Sequence, residues 1–198
     1  MGSRWTVAVA VLAAAGFASA DPATFRVDPA RTSAGFAVSQ FGFAVQRGRF
    51  DRMWGTIVFD AQRQAGAIDL VIDADSVNTG WKLRDEFLRG ETMFDAGRFP
   101  ALRFRASQFV FADARLVGVD GEATLRGVTL PVRLEVTRFE CGIGPADGRE
   151  GCSALVTGRI SRRAFGMGFA YPLIGDDVEL EFALTAYRVR DERDGRTP

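Results

Sequence analysis

Apolar residues return at every second position in run after run of this chain, and that period restricts most of it to half-buried antiparallel strands. Phe36 and Val38 alternate with Gly35, Ala37 and Ser39, and Ile57 and Phe59 with Thr56, Val58 and Asp60. The same period carries Leu102, Phe104 and Ala106, then Val132, Leu134 and Val136, then Val178, Leu180, Phe182 and Leu184. Turn-forming residues punctuate the runs at Asp28-Pro29, Arg47-Gly48, Gln64 to Gly66, Val117 to Gly121, Gly127 and Gly175-Asp176. About eight strands at fairly even spacing predict an all-β barrel or sandwich. One stretch departs from the pattern. Between Thr79 and Arg89, Leu83, Phe87 and Leu88 fall at helical spacing, and Gly90 follows as a stop signal. A short helical insert between two strands is expected there, with an apolar face that must cover something.

The N-terminus reads as an export signal over residues 1–20. Arg4 precedes an apolar run from Val7 to Phe17, and Ala18-Ser19-Ala20 is a small-residue cleavage site before Asp21. The apolar core is too short to span a bilayer, and no other stretch is long and apolar enough to do so. The expected organisation is a leader over 1–20, one barrel domain over 21–190 and a charged tail over 191–198. Export implies an oxidising compartment, where two cysteines bracketing a Gly- and Pro-containing loop are expected as a structural disulfide, Cys141–Cys152. Redox-active pairs usually stand as C-x-x-C at a helix start, unlike this one.

Composition removes much chemistry. With no histidine in 198 residues there is no Ser-His-Asp triad, no His general base and no His metal ligand. Two cysteines cannot build an all-thiolate zinc site, so no metal and no cofactor is expected. The 25 basic and 25 acidic residues balance, which leaves no electrostatic footprint for nucleic acid. Asp73, Asp75 and Asp85 beside Arg84 have the residue types for acid/base work, but also those of a loop clamp. Gly166-Met167-Gly168 is too short for a dinucleotide loop. The arginines are scattered over strand faces, as on a solvated surface. The chain holds 17 Phe, which build either a plain apolar core or the walls of a cavity; an eight-stranded barrel accommodates both.

A set of short strings in fixed order resembles the YceI-like family. They are Val27-Asp28-Pro29, Phe36-Ala37-Val38, Gly42, Gly48-Arg49-Phe50 and Gly55-Thr56-Ile57-Val58-Phe59-Asp60. Ser76-Val77-Asn78-Thr79-Gly80, Arg84-Asp85, Leu88, Met93-Phe94-Asp95, Phe99-Pro100 and Phe104 follow. Gly127-Val128-Thr129, Pro131-Val132, Arg162 and Phe165-Gly166-Met167 complete the set, so the likeness runs from about Phe25 to Tyr187. The T-G-x-x-x-R-D-x-x-L insert and the R-x-x-F-G-M turn are its most specific parts. The resemblance implies a closed antiparallel lipocalin-like barrel around a long apolar pocket, exported to the periplasm. It also implies binding of a polyisoprenoid or another long-chain amphiphile, with no catalytic constellation. Two departures stand out: Arg31-Thr32 replaces the family's usual His-Ser, and Gln40 replaces a second His.

The expected function is a carrier for a long apolar or amphiphilic chain, isoprenoid, quinone-like or fatty, that does no chemistry on it. Candidate lining residues are Phe36, Val38, Phe43, Ile57, Phe59, Leu102, Phe104, Leu134, Leu180 and Phe182, each equally suited to a filled core. Trp81, Leu83, Phe87 and Leu88 are candidates for a lid or wall on the insert, and Arg31 and Gln40 for head-group contacts. Arg84, Asp85, Arg162, Phe165 and Gly166 are expected to be structural, the first two fixing the insert and the last two closing a barrel corner. Two alternatives remain: a ligand-free barrel that docks a membrane redox protein, and a lipid-modifying enzyme using Asp85 or Asp95 as base. A homodimer is left open.

Overall fold

A computed structural model describes residues 22–144 and 148–189. The expected leader over 1–20 and tail over 191–198 lie outside the described residues. The strands are β1 (Ala23–Val27), β2 (Ser33–Gln40), β3 (Ala44–Phe50), β4 (Met53–Asp60), β5 (Ala65–Asp73) and β6 (Val77–Asn78). Helix α1 (Lys82–Arg89) follows, then β7 (Ala101–Ala112), β8 (Arg115–Leu125), β9 (Val128–Ile143), β10 (Glu150–Ser161) and β11 (Ile174–Arg188).

Every pairing is antiparallel, and the eleven segments occupy eight positions of a closed barrel. β11 pairs with β2 through Ala183↔Ser33 and with β1 through Ala186↔Val27, so β1 and β2 run as one line broken by a 3-10 turn at Pro29–Arg31. β3 and β4 pair with β2 and β1 in turn and form the next line, interrupted at Asp51-Arg52. β5 and β6 form the third line, broken by a second 3-10 turn at Ala74–Ser76. Beyond β6 the third line ends. The insert carrying α1 fills the gap between this end and β7, as the helical periodicity required of an apolar face.

The two ends of the barrel differ. At the end carrying the β4–β5, β7–β8 and β9–β10 turns, Phe59 packs against Phe109 at 6.1 Å and Phe139 at 5.4 Å between ring centroids. A bulge in the β9–β10 pairing at Leu155/Val156 shifts the register that places Phe139 opposite Ala154. Phe25 and Val27 of β1 are buried beside this cluster, so this end is filled. Outside, opposite charges face each other across strands, as Asp69 with Arg105 and Asp120 with Arg133. These exposed pairs each contribute at most about 1 kcal/mol. They account for the scattered arginines as a solvated face.

Cys141 and Cys152 form a disulfide between directly opposed residues of β9 and β10. Their sequence separation is 11, so the closed loop is short. Reduction is expected to cost up to about 3 kcal/mol through the unfolded chain. Thermal melts with and without reductant check this: an unchanged midpoint would show that strand pairing alone fixes the hairpin.

Candidate ligand-binding cavity

Above the filled end the barrel encloses a cavity of about 230 Å3. Its wall follows from strand parity. On β11, Val178, Leu180, Phe182 and Leu184 face it, a run of roughly 20 Å at about 3.3 Å per residue. Phe36 and Val38 come from β2, Leu102 and Phe104 from β7, and Leu134 from β9. Gly48 on β3 lies under the Phe36 ring; a Cβ there would collide with the ring and with Thr79. The glycine therefore lets Phe36 lie flat in the wall.

The insert supplies the rest of the upper wall. Phe87 and Leu88 of α1 line the cavity, joined by Met93 and Phe94 from the turn that follows. The Phe94 ring meets Phe50 at 5.3 Å, and Arg126 donates to the carbonyls of Glu91 and Met93, anchoring that turn to the β8–β9 connection. Asp85 is buried and accepts from the Thr79 amide at 2.8 Å and the Thr79 hydroxyl at 2.5 Å. It thus clamps the start of the insert through Thr79. Arg84 donates to Thr79 Oγ1 at 2.7 Å, to the Thr79 carbonyl at 3.0 Å and to Gln46 Oε1 at 2.5 Å. Arg84 therefore ties α1 to β3 and also lines the cavity.

Six expected contacts lie off the cavity wall. Phe43 is 87% exposed in the β2–β3 turn, where Phe41 and Gly42 take positive φ, at an odd position whose even neighbours on β2 and β3 face inward. Trp81 precedes α1 and is exposed, with its ring under Arg84 at 5.4 Å. Leu83 stands about 100° around the helix from Arg84 and points to solvent. Ile57 and Phe59 face inward but belong to the filled core. Arg31 sits on the first 3-10 turn with its side chain 67% exposed, 3.9 Å from Asp28, away from the cavity. Of the two expected head-group residues, only Gln40 lines the cavity.

Residues not singled out from sequence complete the wall. Gln46 was accessible in principle: outward Arg47 and Arg49 place Gln46, Gly48 and Phe50 on the inner face of β3. Met93 and Phe94 had no such signal, because an irregular turn has no period. Arg162 is buried, and its guanidinium reaches the carbonyls of Gly175 at 2.7 Å, Ile174 at 2.8 Å and Met167. Burial pushes its pKa down, opposed by the nearby Asp176 carboxylate. Phe165 is buried beneath this corner, and Gly166 takes φ 81° to end the 3-10 turn Arg163–Phe165.

The insert end lies opposite the filled aromatic layer, and the polar lining groups Gln40, Gln46, Thr79 and Arg84 mark it as the mouth of the cavity. The Phe41 amide donates to the Leu173 carbonyl at 2.7 Å, and Phe87 meets Phe169 at 4.8 Å. These contacts gather the β2–β3 turn, α1 and the β10–β11 connection into one rim with exposed Phe41, Trp81, Leu83, Phe169, Tyr171 and Leu173. Among the described residues no group of three or more Cys, Asp or Glu could hold a metal ion, and no helix is long and apolar enough to cross a membrane.

A family model described as the YceI-like domain matches residues 25–186, nearly the whole described barrel. The chain belongs to the YceI-like family. Curated relatives are similar at a distance. A UPF0312 protein of Pectobacterium atrosepticum is 29% identical over 183 residues, 91% of this chain and 94% of that one. A UPF0312 protein of Vibrio campbellii is 31% identical over 120 residues, and the match spans 60% of this chain and only 64% of the relative's length. Among solved structures, Burkholderia cenocepacia BcnA superposes with a TM-score of 0.69 at 24% identity, covering 80% of this chain and 98% of its own. A polyisoprenoid binding domain from Saccharophagus degradans, implicated in plant cell wall breakdown, gives a TM-score of 0.61 at 21% identity. It covers 85% of this chain and all of the other. At these identities the two structures establish the shared YceI-like fold.

Proposed function

We propose that this YceI-like protein carries a long-chain apolar or amphiphilic molecule in its barrel, in the periplasm, and does no chemistry on it. The observation that carries the reading is the cavity: an apolar space lined from every strand but β1 and β6 and from the insert, filled below by aromatic rings and edged above by half-buried polar groups. Isoprenoid, quinone-like and fatty chains share the required shape and surface. The description of the Saccharophagus neighbour as polyisoprenoid-binding supports the isoprenoid member of that set. The apolar run before Ala18-Ser19-Ala20 and the Cys141–Cys152 disulfide support an oxidising, exported setting.

Binding on this reading comes from burying the chain. Each methylene taken from water contributes up to about 0.8 kcal/mol, roughly fourfold in affinity. Affinity across a homologous series of prenyl or fatty chains is therefore expected to climb steeply and then level off where the cavity ends. Native mass spectrometry of protein purified without detergent, followed by organic extraction, tests the natural occupant. A bare mass together with no binding of any chain length would overturn the carrier reading.

A further inference from the structure

We propose that the carried molecule has an anionic oxygen head group, a phosphate or a carboxylate, held at the mouth by Arg84 with Gln40 and Gln46. This rests on the reading that the barrel holds an amphiphile, and it adds which end of that molecule is recognised and by what charge.

The lining of the cavity is apolar except near the mouth, and its charged members are all arginines: Arg84, Arg162 and the outward-lying Arg103. Among the described residues no Asp or Glu contributes to it. Arg162 has its three donating nitrogens engaged by backbone carbonyls and supplies positive potential at this end of the cavity. Arg84 differs. It is half-buried, and its three hydrogen bonds go to neutral acceptors on Thr79 and Gln46. Asp85, next along the helix, does not line the cavity; both of its hydrogen bonds come from Thr79. A guanidinium has five N–H groups in a planar fork, so one on Nη1 and one on Nη2 remain for a ligand. Such a fork matches two oxygens of a carboxylate or phosphate.

The neighbouring polar groups fit the same ligand. The Gln40 side chain lines the cavity, is half-buried and makes no side-chain hydrogen bond among the described residues. Its amide N–H is free to donate to a second oxygen. The Gln46 carbonyl oxygen accepts from Arg84, while its amide nitrogen donates to the Arg47 carbonyl at 2.6 Å. Gln46 therefore aims the guanidinium and adds no negative charge to the mouth. Gln40 pairs across the sheet with Ile174, whose carbonyl accepts from Arg162, so the two arginines share one end of the barrel. Neither Arg84 nor Arg162 stands in an ion pair among the described residues. A cation facing an apolar cavity without its own carboxylate favours a ligand that brings one.

The test holds the chain constant and changes the head. Geranylgeraniol, geranylgeranyl monophosphate and geranylgeranoic acid are titrated into the full mature protein below their micellar concentrations. The phosphate and the acid are expected to bind at least tenfold more tightly than the alcohol, and the advantage is expected to shrink as salt rises. Which anion is preferred identifies the head as phosphate or carboxylate. Arg84→Gln is expected to bring the anion-to-alcohol affinity ratio close to one, whereas Arg84→Lys retains most of it. Because Arg84 also anchors α1, Gln40→Leu serves as a second variant outside the insert, with a severalfold fall in the same ratio. An alcohol that binds as tightly as both anions overturns the head-group assignment and leaves the carrier reading standing. Failure of all three to bind overturns the carrier reading itself, and this proposal with it.

Discussion

Arg162→Met is expected to lower the melting temperature by roughly 10 °C or more, since about 1 kcal/mol shifts the midpoint 2–4 °C at this chain length. The side chain is 3% exposed, and its guanidinium ties together the carbonyls of Met167, Ile174 and Gly175. Methionine fills much of the same volume but donates nothing. Each carbonyl left without a partner in a buried setting costs about 1–3 kcal/mol. Water entering from the nearby mouth offsets part of this, which leaves a net loss on the order of 3–5 kcal/mol. The damage should be local in origin. The connection between β10 and β11 is also fastened by the Arg162 amide to the Asp176 carbonyl at 3.0 Å, and the Ser161 hydroxyl and Arg163 amide donate to the Asp176 carboxylate. Arg162→Lys is expected to recover little, because one ammonium cannot match three carbonyls set around a planar fork. Melting curves for the two variants decide the matter. A midpoint within about 3 °C of wild type for Arg162→Met would mean that the backbone turns hold the corner unaided.

That residue also marks what sequence could and could not convey. Its place in an R-x-x-F-G-M string identifies a turn, but nothing local states that the guanidinium folds inward. Strand parity was the legible part. It places Phe36, Val38, Leu102, Phe104, Leu134, Leu180 and Phe182 on the inner face, where they line the cavity. Parity does not report height along the barrel axis. Ile57 and Phe59 have the same inward parity, yet they lie at the end where Phe109 and Phe139 complete a solid aromatic layer. The choice between filled core and cavity is therefore made by level, and the barrel does both at different levels. Phe43 lies in the β2–β3 turn at an odd position, while the even positions on both sides of it face inward, and it points to solvent. The ring count was recoverable only as a number of lines. The breaks at Pro29–Arg31, Asp51-Arg52 and Ala74–Ser76 cut three of the eight lines in two without changing the closure. In the insert, the apolar periodicity identified a helix, but Arg84 and Asp85 set its rotation through Thr79. Leu83 lies only about 40° around the helix from Phe87 and is exposed one turn before it, at the rim, so its exposure follows from position along the helix and not from rotation.

Phe104 and Ala123 stand directly opposite on β7 and β8 and both line the cavity, so they offer a large and a small residue at one level of the wall. Phe104→Ala is expected to cost about 3 kcal/mol, the low end for a buried Phe, because the ring already borders open space. It should weaken the binding of a short chain at least tenfold by removing wall surface. Ala123→Leu should act with the opposite sign on stability. Three added carbons entering the cavity bury apolar surface, contributing up to about 2 kcal/mol. They also occupy space that a chain would need, and affinity for a chain long enough to reach this level should fall at least tenfold. A filled core predicts a different pair of results. There, extra carbons overpack the interior and cost about 1–3 kcal/mol, so both substitutions destabilise. Chemical denaturation and chain binding, measured on both variants, separate the cases. A destabilised Ala123→Leu with undiminished chain binding would place the ligand elsewhere. A stable Ala123→Leu that has lost chain binding would place it inside the barrel, since only an occupied cavity links added stability to lost affinity at one residue.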